Sequence, residues 1–474
     1  MSDLSTLNEF IENRTYDEIK IGDTSILTRT LRPEDIQLFA IMSGDVNPAH
    51  VDPEYARSSM FHEVIAHGMW GAALISTVLG TEFPGPGTIY IDQTLRFSRP
   101  VKVGDTITVT ITCAKKFDHN NHMVFDCLCT NQDDLKVIAG QAEVLAPTKK
   151  IKRARMAMPE LTISDRNVRY QRLLAKTKGL APVLAAFAHP CDVESLSMAV
   201  AARDIGAMLP VLVGPEARMR ALAEQNGLDL RECRFVDVPH SHAAAQHAVA
   251  MAAADEVEVL VQGSQRTNEL LRAVIAPNGL RTARRISHVL YIDVQTYPHP
   301  LFITDTLVNI DPSLEAKMDI VQNAIDFAHT MGVPEPKVAL LAAIETVTPK
   351  MRATTDAAAL CKMADRGQIT GAILDGPLGF DNAVSLISAR KQGIRSVVAG
   401  HADVLVAPDL ESANMLAKQL EHLSDAISGG VAMGARVPIV LLNRSDSQQS
   451  RVASCALAQF VAYQQKLAKN ALSH

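Results

Sequence analysis

The feature that most constrains the fold is a change of pattern along the chain. From Tyr170 onward, short apolar runs alternate with amphipathic stretches of helical periodicity. This alternation is typical of an α/β domain with a largely parallel sheet, because each parallel strand needs a crossover before the next one. We expect this domain to form two lobes around a crevice. The clearest predicted strands are residues 183–187, 210–214, 257–261 and 371–375.

The first 147 residues have a different order, with helices first and strands afterwards. Residues 32–43 predict a short helix, and the apolar, small-residue stretch 67–79 predicts a buried helix. The strands that follow predict an antiparallel sheet wrapped around that helix, which is an α+β arrangement. These strands are residues 88–97, 105–115, 122–130 and 137–146.

A basic run bounded by prolines, residues 147–159, separates the two patterns and predicts a linker. A solvated connector explains its charge; steering of anionic substrates is the alternative. The length of 474 residues is about three times the roughly 150 residues of one domain. We therefore divide the chain into a first domain at 1–147, a linker at 148–169 and a second domain at 170–474.

Composition excludes several classes of protein. With 47% hydrophobic and 21% charged residues, the chain is neither disordered nor a disulfide scaffold. A balance of 46 basic against 52 acidic residues gives no general attraction to nucleic acid. The seven cysteines are scattered, and packing explains Cys127 and Cys129 better than metal binding does. No apolar run is long enough to cross a membrane, and the first residues do not look like a signal peptide, so we expect a cytoplasmic protein.

The first group of chemically useful residues follows the first helix. Asp45, Asn47 and His50 lie within six residues, and the proline after Asn47 favours a turn that lets Asp45 face His50. Such a pair can hold and activate one water molecule. Gly68 opens the buried helix, so its N–H can stabilise a developing oxyanion. The alternative is that Asp45 and Asn47 only form the turn and that His50 is an ordinary loop residue with its hydrogen bonds satisfied.

Three strings carry a family resemblance: Asp45-x-Asn47-Pro48-x-His50-x-Asp52, Ile65-Ala66-His67-Gly68-Met69 and Phe97-x-x-Pro100-Val101-x-x-Gly104-Asp105. They resemble the MaoC-like hotdog family, which includes (R)-specific enoyl-CoA hydratases, over residues 15–146. The resemblance implies that Asp45 and His50 are a hydratase dyad, that Gly68 lies in the oxyanion hole and that Asn47 orients the loop. The implied reaction adds water to a trans-2-enoyl-CoA, giving an (R)-3-hydroxyacyl-CoA, with no metal or organic cofactor. For Asp52 and His67 a structural role is favoured.

A second group of residues follows apolar strands in the C-terminal half. Ligands bind parallel α/β sheets at the carboxyl ends of the strands. We therefore expect Arg444, Asp446, Asp375 and Asp381 to reach one crevice.

The strings 373–383, 396–410 and 440–447 resemble the phosphate acetyltransferase and phosphate butyryltransferase family, over residues 175–472. The resemblance implies reversible acyl transfer from coenzyme A to inorganic phosphate, with Arg444 binding the phosphoryl oxygens. Acetyltransferases carry serine before this arginine and aspartate six residues after it, whereas this chain has Asn443 and Ser450. Asp446 fits the butyryltransferase pattern, either as base or thiol-orienting group or as part of the loop structure.

A Gly-Ser turn at residues 263–264 precedes a predicted helix and could bind an anion. Beside the family pattern, Ser264, Thr267 and Arg272 become candidate contacts for phosphate or CoA; ordinary helix capping is the alternative. For the basic stretch with Arg281, Arg284 and Arg285 a solvated helix face is the favoured explanation, and binding of CoA phosphates is the alternative.

Together these patterns predict a bifunctional enzyme whose substrates are acyl-CoA, enoyl-CoA and inorganic phosphate. Two alternatives stay open: the hotdog domain is a non-catalytic acyl-CoA-binding or oligomerising module, or the second domain binds ligands without acyl transfer. A dinucleotide site is disfavoured because no GxGxxG follows a strand. By resemblance we expect a homo-oligomer formed through the hotdog domain and possibly also through the second domain.

Overall fold

The computed structural model describes residues 10–156 and 166–472. The chain forms two compact units that divide between residues 163 and 164, and each is described by itself. Part of the predicted linker, residues 157–165, lies outside the described residues. Within the rest of it, Lys152–Ala154 is a strand, and a helix begins at Arg166. Among the helices of the described ranges, none is both long enough and apolar enough to span a bilayer.

The N-terminal unit is built on a five-stranded antiparallel sheet in the order β2-β4-β5-β6-β3. A separate two-stranded ribbon pairs β1 with β7. The strands are β1 (Phe10–Glu12), β2 (Thr24–Thr30), β3 (Ile89–Phe97), β4 (Thr106–Phe117), β5 (His122–Thr130), β6 (Lys136–Leu145) and β7 (Lys152–Ala154). The helices are α1 (Pro33–Ser43), α2 (Pro48–Val51), α3 (Pro53–Ser58) and α4 (Gly68–Thr81).

Helix α4 packs against one face of this sheet. Its residues Trp70, Leu74 and Val78, spaced one helical turn apart, are all buried. Strand β4 alternates buried and half-exposed positions, so that one of its faces joins the same core. The predicted antiparallel sheet wrapped around a buried helix is confirmed.

The C-terminal unit contains one eleven-stranded sheet with helices packed against it. Its strands are β8 (Val183–Ala188), β9 (Met208–Gly214), β10 (Arg234–Asp237), β11 (Val259–Gln262), β12 (Ser287–Asp293), β13 (Leu301–Thr304), β14 (Lys337–Leu341), β15 (Ile373–Leu378), β16 (Val404–Val406), β17 (Ile427–Met433) and β18 (Ile439–Val440). The helices are α5 (Arg166–Ala175), α6 (Val193–Asp204), α7 (Glu216–Gln225), α8 (Ser241–Ala253), α9 (Thr267–Ile275), α10 (Leu314–Thr330), α11 (Arg352–Asp365), α12 (Phe380–Val384), α13 (Leu386–Lys391), α14 (Leu410–Leu423) and α15 (Gln448–Leu472).

The strand order is β10-β9-β8-β11-β18-β17-β12-β13-β16-β14-β15. Pairing is parallel from β10 to β18 and again from β13 to β15, so one continuous sheet contains two parallel sets, and the division into two lobes stays a prediction. Three antiparallel pairings, β18 with β17, β17 with β12 and β12 with β13, join the sets. Three antiparallel pairings reverse the strand direction three times, so the strands of the two sets run in opposite directions. Their carboxyl ends therefore point to opposite sides of the sheet, measured along the strands. The predicted mostly parallel α/β fold is confirmed.

Candidate active sites

The loop after α1 brings a carboxylate close to two imidazoles. Helix α1 ends at Gly44, whose φ of 76° turns the chain, and the Asp45 side chain then accepts a hydrogen bond from the Asn47 N–H at 3.2 Å. Ligand-type atoms of Asp45, His50 and His67 all lie within 4.8 Å of one another. One water molecule can bridge polar atoms at such a separation. The predicted approach of Asp45 to His50 is present.

Backbone carbonyls hold both imidazoles in fixed tautomers. The Nδ1–H of His50 donates to the Ile65 carbonyl at 2.9 Å, and the Nε2–H of His67 donates to the Asp45 carbonyl at 2.9 Å. A carbonyl oxygen only accepts, so these nitrogens carry the protons, and Nε2 of a neutral His50 keeps a free lone pair. The two rings pack with centroids 4.0 Å apart. His50 is therefore oriented as a proton acceptor.

His67 contributes more to this site than a packing residue would. It is 3% exposed, and its hydrogen bond holds the backbone of Asp45. Its Nδ1 is buried and has no hydrogen-bond partner among the described residues. The string Ile65-Ala66-His67-Gly68 pointed to this position, but the sequence did not show that the imidazole reaches back to Asp45.

The polar residues next to the dyad serve as helix caps. Asn47 accepts a hydrogen bond from the Ala49 N–H at 3.1 Å and thereby caps α2, in keeping with the orienting role proposed for it. Asp52 accepts from the N–H groups of Glu54 and Tyr55 and caps α3. The structural role favoured for Asp52 thus agrees with its contacts.

Gly68 is the first residue of α4 and is exposed beside the dyad. The first N–H groups of a helix have no intrahelical acceptor, so they are available to a ligand. A Cβ at this position would lie 3.2 Å from Cε1 of Phe97, a ring that is half exposed. The location suits the expected oxyanion donor.

In the C-terminal unit, a cleft of about 660 Å³ opens at the carboxyl ends of three neighbouring parallel strands, β8, β11 and β18. Ser264 and Thr267 follow β11 and line it, and Arg444 follows β18. The structure therefore brings these three predicted residues together. This agrees with the rule that ligands bind at the carboxyl ends of parallel strands.

The turn between β11 and α9 leaves N–H groups at the cleft uncapped. Gly263 packs so tightly on β8 that a Cβ would overlap the carbonyl oxygens of Ala188 and His189. The Ser264 hydroxyl donates to the His189 carbonyl at 2.9 Å, and the N-cap residue Arg266 makes no side-chain cap. Ordinary capping by Ser264 is thus not what the structure shows. The free N–H groups at the start of α9 favour an anion.

Asp446 lies behind the loop that carries Arg444. Its carboxylate accepts hydrogen bonds from the Asn443 N–H at 2.8 Å and from Lys418 Nζ at 3.3 Å. Burial raises the pKa of Asp446, partly offset by these two donors. Asp446 lines a small cavity with His288 and Lys418, and it is absent from the lining of the cleft. Of the two roles left open for Asp446, these contacts favour the structural one.

Three other predicted contacts are not at the cleft. Arg272 lies in the last turn of α9, away from its N-terminus. Asp375 is on β15, an edge strand six interstrand steps of about 4.8 Å from β18, and Asp381 is in α12 just after β15. The expectation of one shared crevice is wrong for Asp375 and Asp381, because the sheet reverses direction between β18 and β13.

Several residues that the sequence reasoning missed belong to this site. Asp192 and Glu194, at the start of α6, line the cleft, and the rule about strand ends applied to β8 would have found them. Arg266 also lines it. Arg451 is 7% exposed and donates to the carbonyls of Asn443, Arg444 and Asp446; no motif pointed to it.

The basic stretch at residues 281–285 does not have the structure that the sequence predicted. The residues there are not helical, so a solvated helix face does not describe them. Arg281, Arg284 and Arg285 line a separate cleft of about 580 Å³. Arg284 is ion-paired with Asp326, and the Nε–H of Arg285 donates to Asn309 at 2.6 Å.

Comparison with known proteins finds similar proteins for both units. The family described as "Phosphate acetyl/butaryl transferase" matches residues 239–459, and "MaoC like domain" matches residues 20–127. A phosphate acetyltransferase of Rhizobium meliloti is 53% identical over 302 residues, which are 64% of this chain and 96% of the relative.

Two solved structures are also similar. A branched-chain phosphotransacylase from Enterococcus faecalis V583 has a TM-score of 0.52 and 27% identity, covering 59% of this chain and 99% of its own. The R-hydratase PhaJ1 from Pseudomonas aeruginosa has a TM-score of 0.32 and 41% identity, covering 33% of this chain and 99% of its own.

The fold and the matched regions define a two-domain protein in which a MaoC-like hotdog domain precedes a phosphotransacylase-like α/β domain. Through its C-terminal domain, the chain belongs to the phosphate acetyl/butyryl transferase family. Both resemblances drawn from the sequence are confirmed.

Proposed function

We propose that the C-terminal domain transfers an acyl group reversibly between coenzyme A and inorganic phosphate. The observation that carries this proposal is the cleft, where the uncapped start of α9 and the side chain of Arg444 meet. Both features bind a phosphate dianion, since one presents N–H donors and the other a planar guanidinium.

In the forward reaction a phosphate oxygen attacks the thioester carbonyl and forms a C–O bond, which gives a tetrahedral intermediate; the carbonyl then re-forms as the C–S bond breaks. The sulfur leaves as a thiolate and takes up a proton as free coenzyme A. Arg444 would stabilise the negative charge on the tetrahedral intermediate, and the N–H groups of α9 would hold the phosphate. Acetyl-CoA is the first substrate to test, because the Rhizobium meliloti relative is a phosphate acetyltransferase.

The test is release of coenzyme A, followed with a thiol reagent, from acetyl-CoA and butyryl-CoA with and without phosphate. We expect release that requires phosphate and yields an acyl phosphate. Phosphate-independent release would identify a thioesterase instead, and absence of release from either thioester would leave a ligand-binding domain.

We further propose that the hotdog domain hydrates trans-2-enoyl-CoA. This proposal is supported by the proximity of Asp45 and His50, by the hydrogen bond from His50 Nδ1–H to the Ile65 carbonyl, which leaves Nε2 without a carbonyl partner, and by Gly68 at the start of α4. A water held between the two side chains would add its oxygen to C3 as His50 accepts its proton, and the dyad would then return that proton to C2. The Gly68 N–H would bind the thioester oxygen as it becomes enolate-like.

Crotonyl-CoA tests the hydratase proposal through the loss of enoyl absorbance. We expect the wild type to hydrate it and Asp45→Asn not to do so, while the same Asp45→Asn sample keeps its phosphate-dependent release of coenzyme A. That second activity shows that the C-terminal domain is folded, and the fluorescence of Trp70, in the core of the hotdog domain, makes the same check there. A wild type without hydration would favour the alternative, a non-catalytic acyl-CoA-binding or oligomerising domain.

A homo-oligomer is proposed as well, with a second copy of this chain pairing along β3. Strand β3 is an edge strand, and its residues Ile89, Ile91 and Phe97 are 60%, 45% and 50% exposed. A long apolar edge of this kind usually pairs with another chain. Light scattering should give at least twice the mass of the wild-type chain and a lower mass for the double variant with Ile89→Lys and Ile91→Lys. A monomeric wild type would contradict the proposal.

A further inference from the structure

The loop that carries Arg444 has no regular structure of its own. It connects the two-residue strand β18 to α15, and Arg444 itself is exposed. Arg451 on α15 holds its carbonyl groups: Nε donates to Asp446 O at 3.1 Å, and Nη2 donates to Asn443 O at 3.4 Å. Inside the loop, the Asp446 carboxylate accepts from the Asn443 N–H at 2.8 Å, and the Asp446 N–H donates to the Asn443 carbonyl at 3.2 Å. The position of Arg444 therefore depends on where the Asp446 carboxylate is held.

Lys418 holds that carboxylate from outside the loop. Its Nζ lies 3.3 Å from Asp446 Oδ1 and 2.6 Å from Glu421 Oε2. Glu421 in turn accepts a hydrogen bond from the Ser428 hydroxyl on β17 at 2.7 Å. All three ionic side chains are at most 24% exposed, so solvent screens them only weakly. A continuous set of contacts thus runs from β17 through α14 to the residue before Arg444.

Building on the proposed acyltransferase function, we infer that Lys418 is a positioning residue for acyl transfer, which acts through Asp446 to hold Arg444 at the cleft. Lys418 is not among the residues lining the cleft, so its effect on the reaction is indirect. The plus-six position of the family, Ser450 here, donates or accepts hydrogen bonds with Ser428 and Ser447 and supplies no charge to this set of contacts.

Charged and titratable groups around Asp446 come from several elements: Lys418, Glu421 and His422 on α14, Asp425 just before β17, His288 on β12 and Arg451 on α15. Burial raises the pKa of Asp446; the Asn443 N–H and Lys418 lower it, and Glu421 raises it. Burial lowers the pKa of His288 to about 3, so this ring stays neutral in an ordinary assay. Removing Lys418 removes an effect that lowers the pKa of Asp446, so Asp446 then protonates at a higher pH. A protonated Asp446 is a weaker acceptor for the Asn443 N–H, and the loop loosens.

The experiment compares kcat/KM for phosphate, as a function of pH, in the wild type, Lys418→Met and Lys418→Arg. Lys362→Met is the matched control, because Lys362 forms an exposed i,i+3 ion pair with Asp365 on α11. We expect Lys418→Met to lose about tenfold in kcat/KM near neutral pH and to shift the acid limb upward by about one pH unit. Lys418→Arg should keep most of the activity, and Lys362→Met should match the wild type. Asp446→Asn added to Lys418→Met should abolish the shifted limb.

A Lys418→Met profile that superimposes on the wild type would overturn the inference, and so would a uniform loss of activity with an unshifted acid limb, which marks a purely structural role. If Lys418→Met does not fold, Lys418→Gln makes the same test, since it keeps a donor and removes the charge. An inactive wild type would instead overturn the proposed acyltransferase function and this inference with it.

Discussion

The two candidate sites differ in how far apart in the chain their residues lie. In the hotdog domain, Asp45, His50 and Gly68 belong to one stretch of loops and short helices that ends at α4. In the transferase domain, the cleft collects loops after β8, β11 and β18, and Val261 on β11 pairs with Val440 on β18. The residues of the first site lie in one short sequence motif, whereas the residues of the second site come together only through the order of the strands in the sheet.

The sites also differ in what holds them. His50 and His67 are fixed by hydrogen bonds to neutral carbonyls, of Ile65 and Asp45. The Arg444 loop is fixed by charged side chains, Lys418 and Arg451. Buried ionic contacts are costly to break one partner at a time. The transferase site should therefore respond to changes of charge and pH more strongly than the geometry of the hotdog site does.

The largest difference between the two activities is expected when His50, the proposed base of the hotdog site, is replaced. His50→Gln should lower crotonyl-CoA hydration by roughly 10³-fold, in the range for loss of a general base, because an amide nitrogen cannot accept the proton. Phosphate-dependent release of coenzyme A should be unchanged. Loss of both activities in the folded variant would show that the sites are not independent.

The reciprocal change acts on the cleft. Arg444→Ala should lower acyl transfer by roughly 10²-fold to 10³-fold, as expected for removing a charged donor to an oxyanion, and should leave hydration at the wild-type rate. Arg444→Lys should recover part of the activity, since it restores the charge without the bidentate geometry. Full activity of Arg444→Ala would move the phosphate site elsewhere.

A smaller difference is expected between the stability effects of replacing Gly263, at the cleft, and Gly68, at the hotdog site. Gly263→Ala should destabilise the C-terminal domain by about 3 kcal/mol, because the new Cβ meets backbone oxygens that cannot move aside. Gly68→Ala should cost less stability, because the contacted Phe97 ring is half exposed and can rotate. The chain has one tryptophan, Trp70, in the hotdog core. Its fluorescence against denaturant reports that domain, while far-UV circular dichroism reports both; equal losses of stability would contradict the contrast.

A pH-dependent effect is expected from His288. Burial lowers the pKa of His288 to about 3, whereas an unfolded histidine titrates near 6.5. Between these values the unfolded state binds a proton that the native state does not, so stability falls as the pH falls, by about 1.4 kcal/mol per pH unit. Denaturant unfolding between pH 6.5 and 4.5 should show a shallower slope for His288→Gln. His422→Gln, which removes an exposed imidazole from the same domain, should keep the wild-type slope.

The smallest effect on acyl transfer is expected for Asp375 and Asp381, which the sequence predicted to lie in the cleft and the structure places elsewhere. Asp375→Asn and Asp381→Asn should change phosphate-dependent release by less than about twofold, as distant surface changes usually do. Asp375 lies on the edge strand β15 and Asp381 comes just after it, far from the strands that form the cleft. A large loss in KM or kcat would return them to the active site.

Sequence reasoning succeeded for residues whose neighbours in space are also neighbours in the chain. Alternation and periodicity predicted the elements, since burial of one face leaves a period of two or 3.6. The hotdog motif predicted the approach of Asp45 to His50, because the proline after Asn47 and the cap on α2 turn the chain there. What it did not show was that His67 reaches back to the Asp45 carbonyl.

For the transferase domain the same reasoning grouped Ser264, Thr267 and Arg444, which do line one cleft, and failed to see that Asp375 and Asp381 lie away from it. It assumed that all the strands point the same way, and three antiparallel pairings in the middle of the sheet reverse that direction.

The sequence by itself determined the two domains, their fold classes and the residue types available for chemistry, because these follow from local pattern and composition. Only the tertiary structure decided which loops share a cleft, that Asp446 turns away from the cleft toward Lys418, and that Arg451 supports the loop. Those facts depend on strand order and on contacts between residues far apart in the chain. Such long-range contacts cannot be deduced from the local periodicity of the sequence.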